Sequence, residues 1–254
     1  MIACSPRPGA AAPTVAWFAI GAAVRPPITR AIAVGDCVRR ALVAHSDAHP
    51  IFVGRSDDAP STGHRHAFFL PADDDGDGRL DRVVVSARDG FDDRAQEALD
   101  RLQHTPVWGH GGPDLRMTRL ATCRAYDVGG LAGESMHGRA AQVGLARVWE
   151  SHTPFVPPRF ARNRPEDGVE AQARRMILGL GLPLPATITP LAGEDTPAGV
   201  PWESFLLQRQ RGGGACGTVR GYGLRLVFDR PVRGPIALGY GAHQGLGQFV
   251  AVAR

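Results

Sequence analysis

Two histidines, His64 and His66, stand at the start of a short apolar run, His66–Pro71 (HAFFLP). In an extended segment, side chains at i and i+2 point to the same side, so the two imidazoles would lie close together. Because histidine titrates near neutrality, such a pair could ligate a metal ion or transfer protons around a scissile phosphate. The alternative is one histidine packed in the core beside one exposed to solvent.

The segment DDDGDGRLD carries carboxylates at Asp73, Asp75, Asp77 and Asp81, with a glycine after the third. This spacing matches the first part of an EF-hand calcium loop. The glutamate that closes such a loop is replaced by Val84, and strands are predicted on both sides, so the pattern predicts weak calcium binding at best. The alternative is a hairpin loop whose Asp and Gly residues suit tight turns, and we expect no bound metal.

A glycine-rich segment, 239–249 (GYGAHQGLGQF), runs into the last predicted strand. Glycine allows the backbone to approach a phosphate closely and leaves N–H groups free to bind it. The segment matches neither the dinucleotide-binding fingerprint nor the P-loop. Turn formation is therefore the alternative to phosphate binding.

Arginine is interleaved with aromatic residues in two other places: the segment 157–164 (PPRFARNR), and Arg220, Tyr222 and Arg225. Arginine beside an aromatic ring suits phosphate contacts and base stacking, and a solvated surface is the alternative. All 29 cationic side chains are arginine, a bias that GC-rich codons also explain. Residues 151–254 hold 12 arginines against 7 acidic residues, so a polyanionic partner would meet the second half of the chain.

Apolar periodicity predicts the elements that position these residues. The first half alternates β-α-β-β-α-β, the ferredoxin-like plan. Its predicted strands are Thr14–Ile20, His66–Pro71, Leu80–Ser86 and Asp114–Cys123, and its predicted helices are Ile28–His45 and Phe91–Gln103. The second half partly repeats this order, with predicted strands Val148–Val156, Ala186–Leu191, Trp202–Leu207, Gly221–Phe228 and Gln248–Val252, a helix beginning at an Asp167–Glu170 capping box, and a short helix Pro231–Leu238. The fold predicted is α+β, with tandem ferredoxin-like (RRM-like) units at residues 1–147 and 148–254 and a C-terminal glycine-rich loop.

Composition excludes several classes of protein. A hydrophobic content of 43% is too high for a disordered chain. The four cysteines lie far apart, which argues against a disulfide scaffold or a cysteine zinc site. Since no apolar run reaches the length of a membrane span, we expect a cytoplasmic protein without a membrane partner.

Three stretches, 63–85, 152–160 and 220–249, together resemble the type I-G (formerly I-U) CRISPR effector subunit and cover about a quarter of the chain. In that family a backbone-type subunit is fused to a repeat-cleaving endoribonuclease, and the resemblance is to the nuclease half. The family is part of the RAMP superfamily of RNA-binding proteins, which have tandem ferredoxin-like folds and a C-terminal glycine-rich loop.

The resemblance implies metal-independent processing of CRISPR repeat RNA (pre-crRNA) without a cofactor. A 2′-OH attacks the adjacent phosphate and leaves a 2′,3′-cyclic phosphate and a 5′-OH, and the enzyme then stays with the crRNA and the other subunits of the effector complex. It implies proton transfer by His64 or His66. It implies RNA contacts by Arg159, Arg162, Arg220, Tyr222, Arg225, Gly241, His243, Gln244, Gly245 and Gly247. The alternative is a non-catalytic subunit that binds and caps the crRNA.

Overall fold

Two five-stranded antiparallel sheets and a few helices form the molecule, which confirms the α+β class predicted from the sequence. The computed structural model describes residues 12–56, 59–60, 66–105, 114–127, 142–159, 164–192, 196–208 and 220–252. Over these ranges, no helix combines the length and apolar character required to cross a bilayer.

The first sheet has the strand order β4-β5-β1-β7-β6, and every neighbouring pair is antiparallel. The strands of the first half are β1 (Val15–Gly21), the short hairpin β2 (Arg55–Ser56) and β3 (Ala59–Pro60), β4 (Phe68–Ala72), β5 (Arg82–Ser86), β6 (His104–Thr105) and β7 (Leu115–Cys123). Its helices are α1 (Ala31–His45), α2 (Pro50–Val53) and α3 (Asp93–Arg101). The β-α-β-β-α-β order expected for this half is therefore present.

Both faces of the first sheet are covered. Phe18, Phe69 and Val85 belong to a core shared with α1 and α3, whereas Trp17 and Val84 belong to a core shared with the second half. This explains why β4 and β5 are buried at every position and read as continuous apolar runs rather than as alternating ones.

The second sheet repeats the strand order of the first. Its strands are β8 (Leu145–Ser151), β9 (Thr187–Pro190), β10 (Leu224–Arg233), β11 (Ile236–Ala237) and β12 (Gln248–Ala251), in the order β11-β12-β8-β10-β9. The α-helix among the described residues of this half is α4 (Val169–Gly179). If the short strands β2, β3, β6 and β11 are left aside, each half has four strands. Numbered along the chain, these four lie side by side in the order 2-3-1-4 in both sheets. Where the first half has α3 between its last two main strands, the second half has β11 and the glycine-rich segment.

Three local predictions for the second half are wrong. The predicted strand Trp202–Leu207 is a 3-10 helix, Trp202–Ser204. The predicted helix Pro231–Leu238 is instead part of β10 followed by β11. A register shift between Val227 and Val232 leaves Pro231 without a cross-strand partner on β8, and this is how a proline, which lacks an N–H group, is tolerated in a strand.

The third correction concerns the capping box at the start of α4. The N-cap residue is Gly168, and it makes no side-chain capping bond. Asp167 ends a 3-10 turn instead, and its carbonyl accepts a hydrogen bond from the buried Gln172 side chain at 2.7 Å. The contact of Asp167 with α4 is therefore made by its backbone carbonyl to a side chain, and it is not a capping-box bond to a helix N–H.

Candidate nucleic-acid interface

The glycine-rich segment packs directly on the first half of the chain. A Cβ atom on Gly35 of α1 would lie 2.3 Å from the carbonyl oxygen of Gln244 and 2.9 Å from that of Phe69. Gly241 and Gly245 adopt φ values of 69° and 98° on either side of the 3-10 turn Ala242–Gln244. Because side chains other than glycine rarely adopt such angles, these two glycines fix the shape of the turn that docks on α1.

This docking brings together two residues that the sequence singled out separately. The rings of His66 and His243 stack with their centroids 3.6 Å apart, and the ring of Phe68 stacks on His243 at 4.0 Å. His243 Nδ1 lies 3.2 Å from the carbonyl oxygen of Ala67. His66 and His243 are both half-buried, so part of the pair is accessible to a ligand.

The His66 ring lies over Gly54, where an added Cβ would be 3.1 Å from the imidazole. His66 Nδ1 is buried. The other predicted proton-transfer residue, His64, lies outside the described residues.

A buried polar network holds the glycine-rich segment in place. The fully buried Gln248 donates from Nε2 to the carbonyl oxygens of Gly245 at 2.7 Å and Pro71 at 3.0 Å, and its Oε1 accepts from Gln142 Nε2 at 2.7 Å. Buried polar groups stabilise a structure only when they are satisfied, and here the bonds cross from β12 to the loop and to β4. They therefore tie the position of His243 to the first sheet.

The aspartate-rich loop uses its carboxylates mainly to bind its own backbone. Asp73 accepts hydrogen bonds from the N–H groups of Gly76 and Gly78, both at 2.8 Å, and burial raises the pKa of its carboxyl group. Asp77 accepts from the N–H of Arg79 at 2.8 Å. Such bonds are those of a tight turn.

Three carboxylates of this loop, those of Asp73, Asp75 and Asp81, have oxygen atoms within 4.8 Å of one another. Arg25 already contacts two of them: its guanidinium pairs with Asp81 and lies 4.0 Å from Asp75. Asp81 also accepts from the N–H of Asp74 at 2.7 Å. An arginine side chain thus supplies the positive charge that a cation would bring.

The loop is joined to the second half by a histidine that the sequence analysis did not single out. His152 Nε2 accepts a hydrogen bond from the N–H of Asp73 at 3.1 Å. Burial, and then the charge of Arg82, lower the pKa of His152 to about 4. His152 is therefore neutral at physiological pH. His152 opens the stretch 152–160 that carries part of the resemblance, but nothing in the sequence showed that its side chain would be buried against Asp73.

The predicted RNA-contacting arginines differ in the contacts that they make within the protein. Arg225 pairs with Glu150, Nη2 to Oε1 at 2.5 Å. Arg220 is exposed, and its guanidinium carbon lies 5.3 Å from the centroid of the Tyr222 ring. Arg159 is exposed, and its backbone N–H and C=O both bond the Gln172 side chain. Arg162 lies outside the described residues.

One segment of backbone connects several of these residues. Phe155 exchanges two backbone hydrogen bonds with Tyr222, and the carbonyl of Val156 accepts from the N–H of Tyr240 in the glycine-rich segment. Main-chain bonds thus connect three parts of the candidate site: the Arg220–Tyr222 pair, the segment leading to Arg159, and the loop carrying His243. Gly245 and Gly247 are buried there, whereas Gly241 and Gln244 are half-buried.

No protein-family model matches the chain, and no curated protein matches it. Among solved structures, a chain described as an RAMP protein binding different RNA substrates is similar over 94% of this chain and 98% of its own length, with 12% sequence identity and a TM-score of 0.47. The function of the site is therefore inferred from its own residues and their contacts.

Proposed function

We propose that the protein is a metal-independent endoribonuclease that processes CRISPR repeat RNA and is built from two ferredoxin-like units. The observation that carries the proposal is the stacked pair of His66 and His243. In this pair an imidazole of the first half contacts the glycine-rich turn of the second half. Imidazole is the side chain best suited to moving protons near neutral pH.

His66 is the residue that we assign to proton transfer. Because His66 Nδ1 is buried, the proposal assigns proton transfer to Nε2. His243 stacks on the ring and is itself anchored at the Ala67 carbonyl, which makes it a positioning residue. In the proposed reaction the 2′-OH loses its proton and attacks the adjacent phosphate. The bond to the 5′ oxygen then breaks, and that oxygen gains a proton.

RNA contacts in this proposal come from the exposed Arg159 and Arg220 and from the turn carrying His243. Guanidinium groups bind phosphate through paired N–H donors, and Tyr222 beneath Arg220 offers an aromatic surface for a base. His64 and Arg162 remain predicted members of the site, as does the division of the chain at residues 147 and 148. The RNA and the other effector subunits are the proposed partners.

Incubation with a repeat hairpin, beside the same hairpin with a 2′-deoxy nucleotide at the cut site, tests the reaction. We expect cleavage of the first RNA only, a cyclic phosphate product, and no inhibition by EDTA. A strict requirement for Ca²⁺ or Mg²⁺ would contradict the mechanism.

His66→Ala should slow cleavage roughly 100- to 10,000-fold while RNA affinity changes little. The matched control is His104→Ala, because His104 is exposed on β6, at the opposite edge of the first sheet from β4. Equal rates for wild type and His66→Ala would show that His66 is not the proton-transfer residue.

A second candidate function is a non-catalytic subunit that caps the crRNA. The packing of His66 between Gly54 and His243 favours it, since a ring held in this way also stabilises the junction of the two halves. Tight binding of both hairpins without cleavage of either would select this function.

A further inference from the structure

Among the residues that the structure describes, Tyr126 is the most exposed of the large apolar side chains, with 76% of its surface accessible. It lies in a 3-10 turn, Ala125–Asp127, just after β7. Tyrosine combines a large apolar ring with a polar tip, and leaving that ring in water forfeits the burial that normally stabilises it. A ring this exposed is therefore available to a ligand.

The turn that presents Tyr126 is fixed at several points. The N–H of Ala125 donates to Thr14 Oγ1 at 2.9 Å, and Arg233 Nη1 donates to the carbonyl of Ala125 at 3.0 Å. The N–H of Asp127 bonds the carbonyl of Arg124 at 2.9 Å. The ring is thus carried by an ordered backbone, so binding to it costs little additional ordering.

One face of the ring is already covered by a cation. The guanidinium carbon of Arg233 lies 5.4 Å from the centroid of the Tyr126 ring, the same arrangement as Arg220 over Tyr222. Arg124 is exposed two residues before the tyrosine. Arg147 is exposed on β8, on the same side as Leu145, whose register partner is Arg233. Arg147 donates from Nε to the carbonyl of Phe228 at 3.2 Å. Among the described residues, Arg233 and Arg124 lie at this turn beside one acidic residue, Asp127, so the charge around the ring suits a polyanion.

The position of the ring relative to His66 is set by the strand register. One row of register partners crosses the strands β4, β5, β1 and β7, and it consists of Phe68, Ser86, Val15 and Cys123. His66 precedes this row and Tyr126 follows it, so both lie beyond the same end of the sheet. Three strand spacings of about 4.8 Å separate them, roughly 14 Å in all, a span that about four stacked nucleotides cover.

We propose that Tyr126, backed by Arg233, stacks on a nucleobase of the single-stranded RNA that flanks the site at His66. The ring takes any base, because every base has a π-face, and the surrounding arginines bind the adjoining phosphates. This inference rests on the proposed function, and it adds a binding position some distance from the cleavage site.

The test measures the affinity for a short single-stranded oligoribonucleotide by fluorescence anisotropy, for wild type and for Tyr126→Ala, Tyr126→Phe and Leu178→Ala. We expect Tyr126→Ala to weaken binding roughly 5- to 100-fold, and Tyr126→Phe to bind like wild type because it keeps the ring. Leu178→Ala is the matched control, because Leu178 is an exposed apolar residue (55%) on α4, and it should have no effect. A 2-aminopurine in the RNA should lose fluorescence on wild type and regain it on Tyr126→Ala.

Wild-type affinity in Tyr126→Ala would overturn the inference and leave the proposed nuclease function standing. Equal losses in Tyr126→Ala and Tyr126→Phe would also overturn it, since the hydroxyl rather than the ring would then matter. If the wild type binds neither this RNA nor the repeat hairpin, the inference and the proposed function both fail. Because Tyr126 is exposed, the melting temperature of Tyr126→Ala should match that of the wild type.

Discussion

Replacing Gly35 by alanine tests whether the glycine-rich segment docks on α1. In an ordinary helix, Gly→Ala stabilises by about 0.5 to 1 kcal/mol. Here the added Cβ would lie 2.3 Å from the carbonyl oxygen of Gln244 and 2.9 Å from that of Phe69. Both are backbone atoms, so the turn or the strand must move. Overpacking of this kind costs about 1 to 3 kcal/mol, which exceeds the propensity gain, and we expect a net destabilisation of roughly 1 to 2 kcal/mol.

The control for this substitution is Gly179→Ala, because Gly179 ends α4 and an added Cβ there meets no atom within 4 Å. Thermal unfolding should show a melting temperature lowered by roughly 2 to 8 °C for Gly35→Ala, and one unchanged or raised for Gly179→Ala. Cleavage by Gly35→Ala should also fall, because a shifted turn carries His243 away from His66. If Gly35→Ala is as stable as the wild type, the docking of the turn on α1 is wrong.

Three further predictions follow from the buried network and the arginines. The pKa of His152 is about 4 in the folded state, so the unfolded state binds a proton at this residue more readily. The free energy of unfolding should therefore be highest above pH 6.5 and fall by roughly 2 to 3 kcal/mol toward pH 4. Denaturant melts should show this loss, and a smaller one in His152→Gln. Gln248→Leu should lower the free energy of unfolding by about 2 to 4 kcal/mol, because it leaves buried polar partners unsatisfied. A decrease below about 0.5 kcal/mol in denaturant melts would contradict the network. Arg159→Gln should weaken RNA binding in anisotropy titrations more than Arg225→Gln, because Glu150 already pairs with Arg225, and the reverse order would contradict this assignment.

Much of the fold follows from local patterns in the sequence. The alternation of strands and helices in the first half is present because each element buries a periodic apolar face, as Ala95, Ala98 and Leu99 do in α3. Patterns failed where a strand contains a local irregularity. Pro231 suggested the start of a helix, but it sits where β10 has extra residues opposite β8, and this irregularity depends on a partner strand that is distant in sequence.

The site was harder to predict than the fold, because its contacts join distant parts of the chain. His66 and His243 were each singled out by their own neighbours, yet their stacking depends on how the glycine-rich segment docks on α1 and β4. His152 and Gln248 lie in segments that the sequence singled out, 152–160 and 239–249, but nothing distinguished these two residues within them. Their importance comes from burial and hydrogen-bond partners on other strands, and neither is encoded in the spacing of nearby residues.

The packing of the first sheet restricts where RNA would bind in the proposed function. RRM domains stack bases on aromatic residues of an open sheet face, and the first half of this chain has the element order of that fold. Here, however, one face of the sheet lies under α1 and α3, and the other, with Trp17 and Phe68, packs on the second half. A nucleic acid therefore cannot reach either face without separating a core. In the proposed function the RNA therefore passes the first sheet at the loops beyond its strand ends, where His66, the glycine-rich turn and Tyr126 are found.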